Sequence, residues 1–150
     1  MNTAAAASAG FLVAVLWFDL MFDVQTRRHE GETLPADVLA SISAYYRRVT
    51  TDARPMNQLV AAMMLVTLVS IITEIVRNQQ PLWIAWLSLA LTATAVGLAM
   101  ARTVRNAVRL GQASDPFDTQ SRLARTIFRD HLYCLAAMAI VLALQLTAQL

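Results

Sequence analysis

Residues 59–100 read LVAAMMLVTLVSIITEIVRNQQPLWIAWLSLALTATAVGLAM, which is two long apolar stretches joined by a short polar segment. A helix of about 20 apolar residues is long enough to cross a lipid bilayer. Pro81 closes the polar segment and is suited to the first turn of a following helix. This part of the chain therefore predicts a hairpin of two membrane-spanning helices, at about 59–76 and 82–100.

Two further apolar stretches lie outside the hairpin, at about 4–22 and 132–150. Of the 150 residues, 57% are hydrophobic and 15% are charged, whereas a soluble domain is about a quarter charged. No charged residue precedes Asp19, so the first stretch lacks the basic start of a cleaved signal peptide. The sequence predicts a single all-α domain over residues 1–150, an integral membrane four-helix bundle.

Residues 35–49 predict an additional helix that is too short and too polar to span a membrane. Pro35 suits its first turn, and the charge of Asp37 suits the positive end of the helix dipole. Its larger side chains recur at helical spacing and form one stripe: Val38, Leu39, Ile42, Tyr45, Tyr46 and Val49. We expect an amphipathic helix that lies on the inner leaflet or packs under the bundle.

Arginine is distributed unevenly among the three connections between the spans. Five arginines lie in the first connection and six in the third, whereas the second contains only Arg77. Cytoplasmic loops of membrane proteins carry an excess of basic residues. We therefore expect the two long connections and the additional helix on the cytoplasmic side, with both termini outside. In a bacterium this is an inner-membrane protein with periplasmic termini.

The third span is expected to continue beyond the membrane, because its helical pattern is unbroken from Leu82 to Leu110, about 43 Å. Gly111 is a candidate for its C-terminal cap, and Thr119 or Ser121 for the start of the last helix. Each projection has three arginines at i, i+3 and i+7: Arg102, Arg105 and Arg109, then Arg122, Arg125 and Arg129. These stripes either contact lipid headgroups or form an anion pocket. Nucleic acid is not an expected partner, because no recognition motif accompanies them.

Small residues are spaced by four in two of the spans, at Ala6, Gly10 and Ala14 and at Ala93, Gly97 and Ala101. Such spacing allows close approach of membrane helices. We expect the first and third spans to use these faces against each other or against a second copy. We therefore expect the chain to contact membrane lipids and to assemble into a homo-oligomer or a larger membrane complex.

Two acids, Asp19 and Asp23, lie one helical turn apart at the end of the first span. A bare carboxylate inside a membrane is costly, so these acids should face partners within the bundle. Other polar residues are expected at the same level: Arg54, Asn57, Arg102, Arg105, Asp130 and His131. Elsewhere, Glu74 and Arg77 are expected to form an interfacial pair.

Three interpretations of this polar cluster remain open. The acids could simply neutralise arginines and fix the first helix. Alternatively, the cluster could be a catalytic or ligand-binding site, with His131 as acid or base and Asp19 as its orienter. Its other ligand-binding candidates are Asp23, Arg54, Asn57, Arg102, Arg105 and Asp130. Finally, Asp19, Asp23 and His131 could hold a metal ion.

The chain resembles, in its topology, the small four-helix membrane proteins related to anthrone oxygenases. The likeness rests on the small-residue-rich first helix, on residues 54–57, which read RPMN, and on residues 125–131 before the last span. That group often begins its last helix with a Trp-Asn-His-like sequence, where this chain reads Arg-Asp-His at 129–131. The resemblance implies an oxygenase-type activity, and it carries over His131 as the one matching site residue.

The sequence contains no phosphate loop, nucleophile elbow or zinc-protease motif, and it assigns no cofactor. The leading hypothesis is therefore a small membrane protein that serves as an accessory or scaffold subunit, in contact with lipids or a larger membrane complex. The alternative is a membrane oxidoreductase-like enzyme that acts on a lipophilic small molecule at the polar site on the cytoplasmic side.

Overall fold

A computed structural model describes residues 3–78 and 81–148, and these residues form helices and turns with no strand. The helices are α1 (Thr3–Asp23), α2 (Ala36–Arg47), α3 (Arg54–Val76), α4 (Leu82–Leu98), α5 (Val104–Gln112) and α6 (Phe117–Thr147). A 3-10 helix, Val24–Arg28, extends α1. Turns of π-helix follow α2 at Arg48–Asp52 and join α4 to α5 at Ala99–Thr103. The all-α prediction is confirmed.

Four helical segments are long and apolar enough to cross a membrane. They are Thr3–Arg28, Pro55–Val76, Leu82–Gln112 and Phe117–Thr147. The third segment continues to Gln112, as its unbroken helical pattern predicts. Within the hairpin connection, Gln79 and Gln80 lie outside the described residues.

The four long helices form a ring in the order α1, α3, α4, α6. α1 packs against α3 and α6, and α4 packs against the same two helices from the opposite side. The expected packing of the first span on the third is therefore wrong. Gly10 lies next to Leu142 of α6, and a Cβ atom at Gly97 would meet nothing within 4 Å. Packing of the Gly97 face on a second copy stays a prediction.

α2 and α5 pack together at the arginine-rich end of the ring, where they contact α6. Here a cluster of buried residues forms a separate core: Leu34, Val38, Leu39, Ile42, Tyr46, Ala107, Leu110, Leu123, Ala124 and Ile127. α2 thus buries most of the predicted stripe under the bundle. Its contact with a membrane surface stays a prediction.

Gly111 is not the helix cap that its position predicts. It lies inside α5, and a Cβ atom there would come within 2.7 Å of the Arg47 backbone nitrogen at the end of α2. The chain leaves the helix two residues later at Ala113, which has a left-handed φ of 50°. Gly111 is therefore needed because the two backbones approach closely.

α6 begins at Phe117, directly after Pro116, earlier than either predicted starting residue. Ser121 does not cap this helix. Its hydroxyl donates to the Phe117 carbonyl and accepts the Leu34 N–H at 2.9 Å. The connection between α1 and α2 is thereby attached to α6.

Candidate functional site

A chamber of about 380 Å³ lies inside the ring, in the half nearer to α2. Apolar side chains from all four long helices form most of its wall, among them Leu12, Leu16, Val60, Met64, Ala95 and Met138. Its aromatic side chains are Phe18, Phe22, Tyr45 and Tyr46. Asp19 and His131 also line it, so an apolar space ends on two ionisable groups.

His131 is held from one side by Asp23. The Nδ1 atom of the imidazole lies 2.7 Å from Oδ2 of Asp23, whose side chain is fully buried. A carboxylate that is ionised only accepts hydrogen bonds, so with Asp23 in that form Nδ1 carries the proton of this contact and donates it. The Nε2 atom is left on the other side of the ring, and His131 lines the chamber. Asp23 therefore fixes both the orientation and the tautomer of His131.

Tyr46 completes this group from α2. Its hydroxyl donates to Oδ1 of Asp23 at 2.7 Å and lies 3.4 Å from Nδ1 of His131. Burial raises the pKa of Tyr46 well above its ordinary value, and the neighbouring charge of Asp23 raises it further. The phenol therefore stays protonated and serves as a fixed donor to the carboxylate.

Asp19 lies on the other side of the imidazole. Its Oδ1 atom accepts a hydrogen bond of 2.6 Å from the Tyr45 hydroxyl, and its Oδ2 atom is 3.9 Å from Nε2 of His131. Burial and the charge of Asp19 both raise the pKa of Tyr45. The Tyr45 ring stacks on Phe22, with centroids 4.0 Å apart. Asp23, and not the expected Asp19, therefore makes the hydrogen bond that holds the imidazole, and Asp19 lies beside Nε2.

Asp130 forms a separate group next to this site. Its buried carboxylate, 2% exposed, is bound by two nitrogens of Arg102, one of them at 3.0 Å, and by the Thr103 hydroxyl at 3.0 Å. The wider π-helical turn at Ala99–Thr103 contains both partners. Asp130 is therefore neutralised by Arg102 and does not line the chamber.

The remaining predicted site residues are not part of the hydrogen-bonded group around His131. Asn57 lines the chamber wall, and Arg105 donates to the Ala101 carbonyl of its own helix. The side chain of Arg54 lies outside the described part of the structure. In the described ranges, no group of three or more His, Cys, Asp or Glu side chains could hold a metal ion.

The arginine stripes are largely engaged with separate partners. Arg109 pairs with Asp115 at 2.8 Å and Arg122 with Asp118 at 3.4 Å. Arg125 donates to the backbone carbonyls of His29 and Gly31. These contacts fix the loop that leads to α2, so the stripe on α6 serves in part to hold that loop.

Glu74 does not form the expected interfacial pair among the residues that the structure describes. Its side chain is 1% exposed and faces inward beside Gln145 of α6, whereas Arg77 is exposed. Gln145 in turn lies 3.4 Å from the Ser88 hydroxyl. Glu74 is thus a buried acid at the end of the bundle remote from His131.

Sequence reasoning missed the polar roles of Tyr45 and Tyr46. Both residues stand in the predicted stripe of α2, where their spacing suggested packing alone. A signal was nevertheless present, because a buried tyrosine hydroxyl needs a hydrogen-bond partner. Two adjacent tyrosines near the level of two unpaired acids could have predicted these contacts.

No family model, curated protein or solved structure matches the chain. The resemblance to the proteins related to anthrone oxygenases therefore stays a prediction. The chemistry of the site has to be argued from its geometry. A buried carboxylate, an imidazole held by it and an apolar chamber at the free nitrogen together form an arrangement suited to general acid–base catalysis.

Proposed function

We propose that this chain is a membrane enzyme that binds a lipophilic small molecule in the chamber and transfers a proton to or from it at His131. One observation carries the proposal. The Nδ1 atom of His131 is fixed by Asp23 at 2.7 Å, whereas Nε2 has no hydrogen-bond partner among the residues that the structure describes, and His131 lines the chamber.

The proposed step uses residues in three roles. His131 takes a proton from the bound molecule through Nε2 and returns a proton to the product from the same atom. Asp23 stabilises the imidazolium ion that forms in between, through the Nδ1–H hydrogen bond. Tyr46 holds Asp23 in place from α2. Asp19 and Tyr45 position the polar part of the molecule beside Nε2.

The surroundings suit a lipophilic substrate. Four segments can cross a membrane, and the chamber lies among them with a largely apolar wall. A molecule dissolved in the bilayer would bind there by burying its hydrocarbon part, while its reactive group reaches the polar end. Exclusion of water strengthens the electrostatic interactions of that end. We further propose that this end faces the cytoplasm of a bacterial cell, in accordance with the distribution of arginine.

The experiment is to identify the bound molecule and to follow its exchange with solvent deuterium. The protein is extracted in native membrane discs, and its small molecules are compared with those of empty discs by mass spectrometry. Any enriched molecule is then incubated in D₂O with the wild type, His131→Ala and, as a matched control, His29→Ala. The chain has only these two histidines, and His29 lies in the loop held by Arg125.

The proposal predicts that the wild type and His29→Ala incorporate deuterium, and that His131→Ala does so at least about 100-fold more slowly. Equal exchange by all three proteins would remove His131 from the proposed role. The hypothesis of an oxidoreductase that acts on a lipophilic molecule stays a prediction. An accessory role stays a prediction too, and consistent copurification of a second protein chain with no enriched small molecule would favour it.

A further inference from the structure

We infer that the molecule bound in the chamber is a lipophilic organic cation, such as an amine or quaternary ammonium group attached to a hydrocarbon body. The inference rests on the ligand-binding part of the proposed function and specifies the charge of the ligand. It is carried by three features of the chamber: its excess of acidic groups, the position of Asp19, and its aromatic wall.

The polar end of the chamber holds more negative than positive groups. Asp19 is the carboxylate that lines the chamber, and the buried carboxylate of Asp23 lies behind His131, which can supply at most one positive charge. Asp130 and Arg102 neutralise each other outside the chamber. None of the arginine side chains that the structure describes lines the chamber, and the chain contains no lysine. A cationic ligand would therefore balance the charge at this end.

Asp19 has an oxygen available for such a ligand. Its Oδ1 atom is occupied by the Tyr45 hydroxyl, whereas its Oδ2 atom is 3.9 Å from Nε2 of His131. That separation is too long for a hydrogen bond. A carboxylate oxygen in an apolar space attracts a cation more strongly than it would in water, because the effective dielectric constant is lower.

Aromatic rings line the chamber together with Asp19, and the Tyr45 hydroxyl contacts its carboxylate. Phe18, Phe22, Tyr45 and Tyr46 line the chamber, and Phe22 and Tyr45 form a stacked pair. Aromatic faces attract cations, and quaternary ammonium groups are commonly bound by aromatic side chains. An anionic ligand would meet both the ring faces and Asp19 unfavourably. A neutral hydrocarbon would leave the charge of Asp19 unbalanced.

A cationic substrate also suits His131 as a base. Removal of the N–H proton from a protonated amine leaves a neutral molecule, and the proton moves to Nε2 to form an imidazolium ion beside Asp19 and Asp23; a quaternary ammonium has no such proton and is bound without this step. The positive charge is thus transferred from the ligand to the imidazole, and it stays close to the same two carboxylates throughout the step.

The test compares two ligands of the same shape, benzyltrimethylammonium and its neutral isostere neopentylbenzene. Binding to the full-length protein in discs of zwitterionic lipid is followed through the imidazole signals of His131 by NMR. His29 serves as an internal control, since it is the only other histidine. Neither ligand has an acidic proton, so this experiment measures binding alone. Failure of the proton-transfer proposal would appear separately, in the deuterium experiment.

We expect the cation to shift the His131 signals saturably and to bind at least about tenfold more tightly than the isostere, with the His29 signals unchanged. Asp19→Asn should weaken binding of the cation by about tenfold or more. Asp37→Asn, which changes an exposed acid of α2, should leave it unaltered. Tyr45→Phe, which keeps the charge of Asp19, should retain the preference for the cation.

Equal affinity of the wild type for the two ligands would overturn the inference. So would undiminished binding of the cation by a folded Asp19→Asn variant. If that variant does not fold, the ratio of the two affinities in the wild type decides the matter by itself.

Discussion

The imidazole of His131 and the carboxylate of Asp23 are 108 residues apart in sequence and 2.7 Å apart in the structure. This contact joins the end of α1 to α6, the two helices that form the most extensive interface of the bundle. Asp23 accepts a second hydrogen bond from Tyr46 of α2. One buried carboxylate therefore links three helices, and it couples the folding of the arginine-rich end to the geometry of the chamber.

Replacement of Asp23 should affect both stability and chemistry. Asp23→Asn keeps the shape of the side chain but removes the charge that both donors face. We expect a loss of about 1–3 kcal/mol in the free energy of unfolding, measured by denaturation in mild detergent. The rate at which the bound molecule exchanges protons should fall in Asp23→Asn, as it does in His131→Ala. Unchanged stability would show that the two hydrogen bonds contribute little.

The Arg102–Asp130 pair should respond unequally to replacement of its two members. Arg102 is half exposed and can be solvated alone, whereas Asp130 is buried. Arg102→Ala should therefore destabilise the protein by about 3–5 kcal/mol, because it leaves a buried charge with one remaining donor, Thr103. Asp130→Asn should be milder, and the double variant should recover part of the loss. Equal effects of the two single changes would contradict the buried position of this carboxylate.

Two glycines provide a matched test of helix packing. Gly111→Ala should lower the free energy of unfolding by about 1–3 kcal/mol, because the added Cβ meets the backbone at Arg47. Gly97→Ala should be neutral or slightly stabilising in the monomer, because the space next to it is open and alanine favours helix. Thermal denaturation of the two variants measures the difference. Tolerance of alanine at position 111 would refute the close approach of α2 and α5.

Because Tyr46 is buried, we expect the folded protein to lose stability in alkali. Burial raises the pKa of Tyr46 in the folded protein above the ordinary value of 10.0. Its contribution to stability is therefore complete below about pH 10 and is lost as the pH rises towards the folded-state pKa, at about 1.4 kcal/mol per pH unit. Tyr46→Phe should reduce the slope of stability against pH in this range. Since the chain has no lysine, few other side chains titrate there. An unchanged slope would show that Tyr46 ionises as easily folded as unfolded.

The sequence predicted the helical architecture well, because its four apolar stretches have the length of a helix that can cross a bilayer. It also identified Asp19, Asp23 and His131 as one polar group, since each lies at the arginine-rich end of its span. The pairing within that group was not predictable. Asp19 and Asp23 share one helix face about 6 Å apart along the axis, and the axial position of α1 relative to α6 decides which of them meets Nδ1 of His131.

The predictions that were wrong have a common cause. The pairing of Glu74 with Arg77 was inferred from neighbours in sequence, whereas Glu74 lies against α6. The role of Gly111 as a helix cap was inferred in the same way, whereas its surroundings are determined by α2. Likewise, small residues on α1 and α4 suggested mutual contact, but the order of helices around the ring places α3 and α6 between them. Spacing along one helix predicts a face, and the arrangement of the whole bundle determines what that face contacts.

The proposed role of His131 is tested most directly by the protonation pattern of its ring, measured by ¹⁵N NMR on histidine-labelled protein in lipid discs. We expect that Nδ1 carries a proton in a strong hydrogen bond, that Asp23→Asn weakens this signal, and that a chamber ligand perturbs the Nε2 signal. A neutral ring protonated on Nε2, with no response to Asp23→Asn, would contradict it.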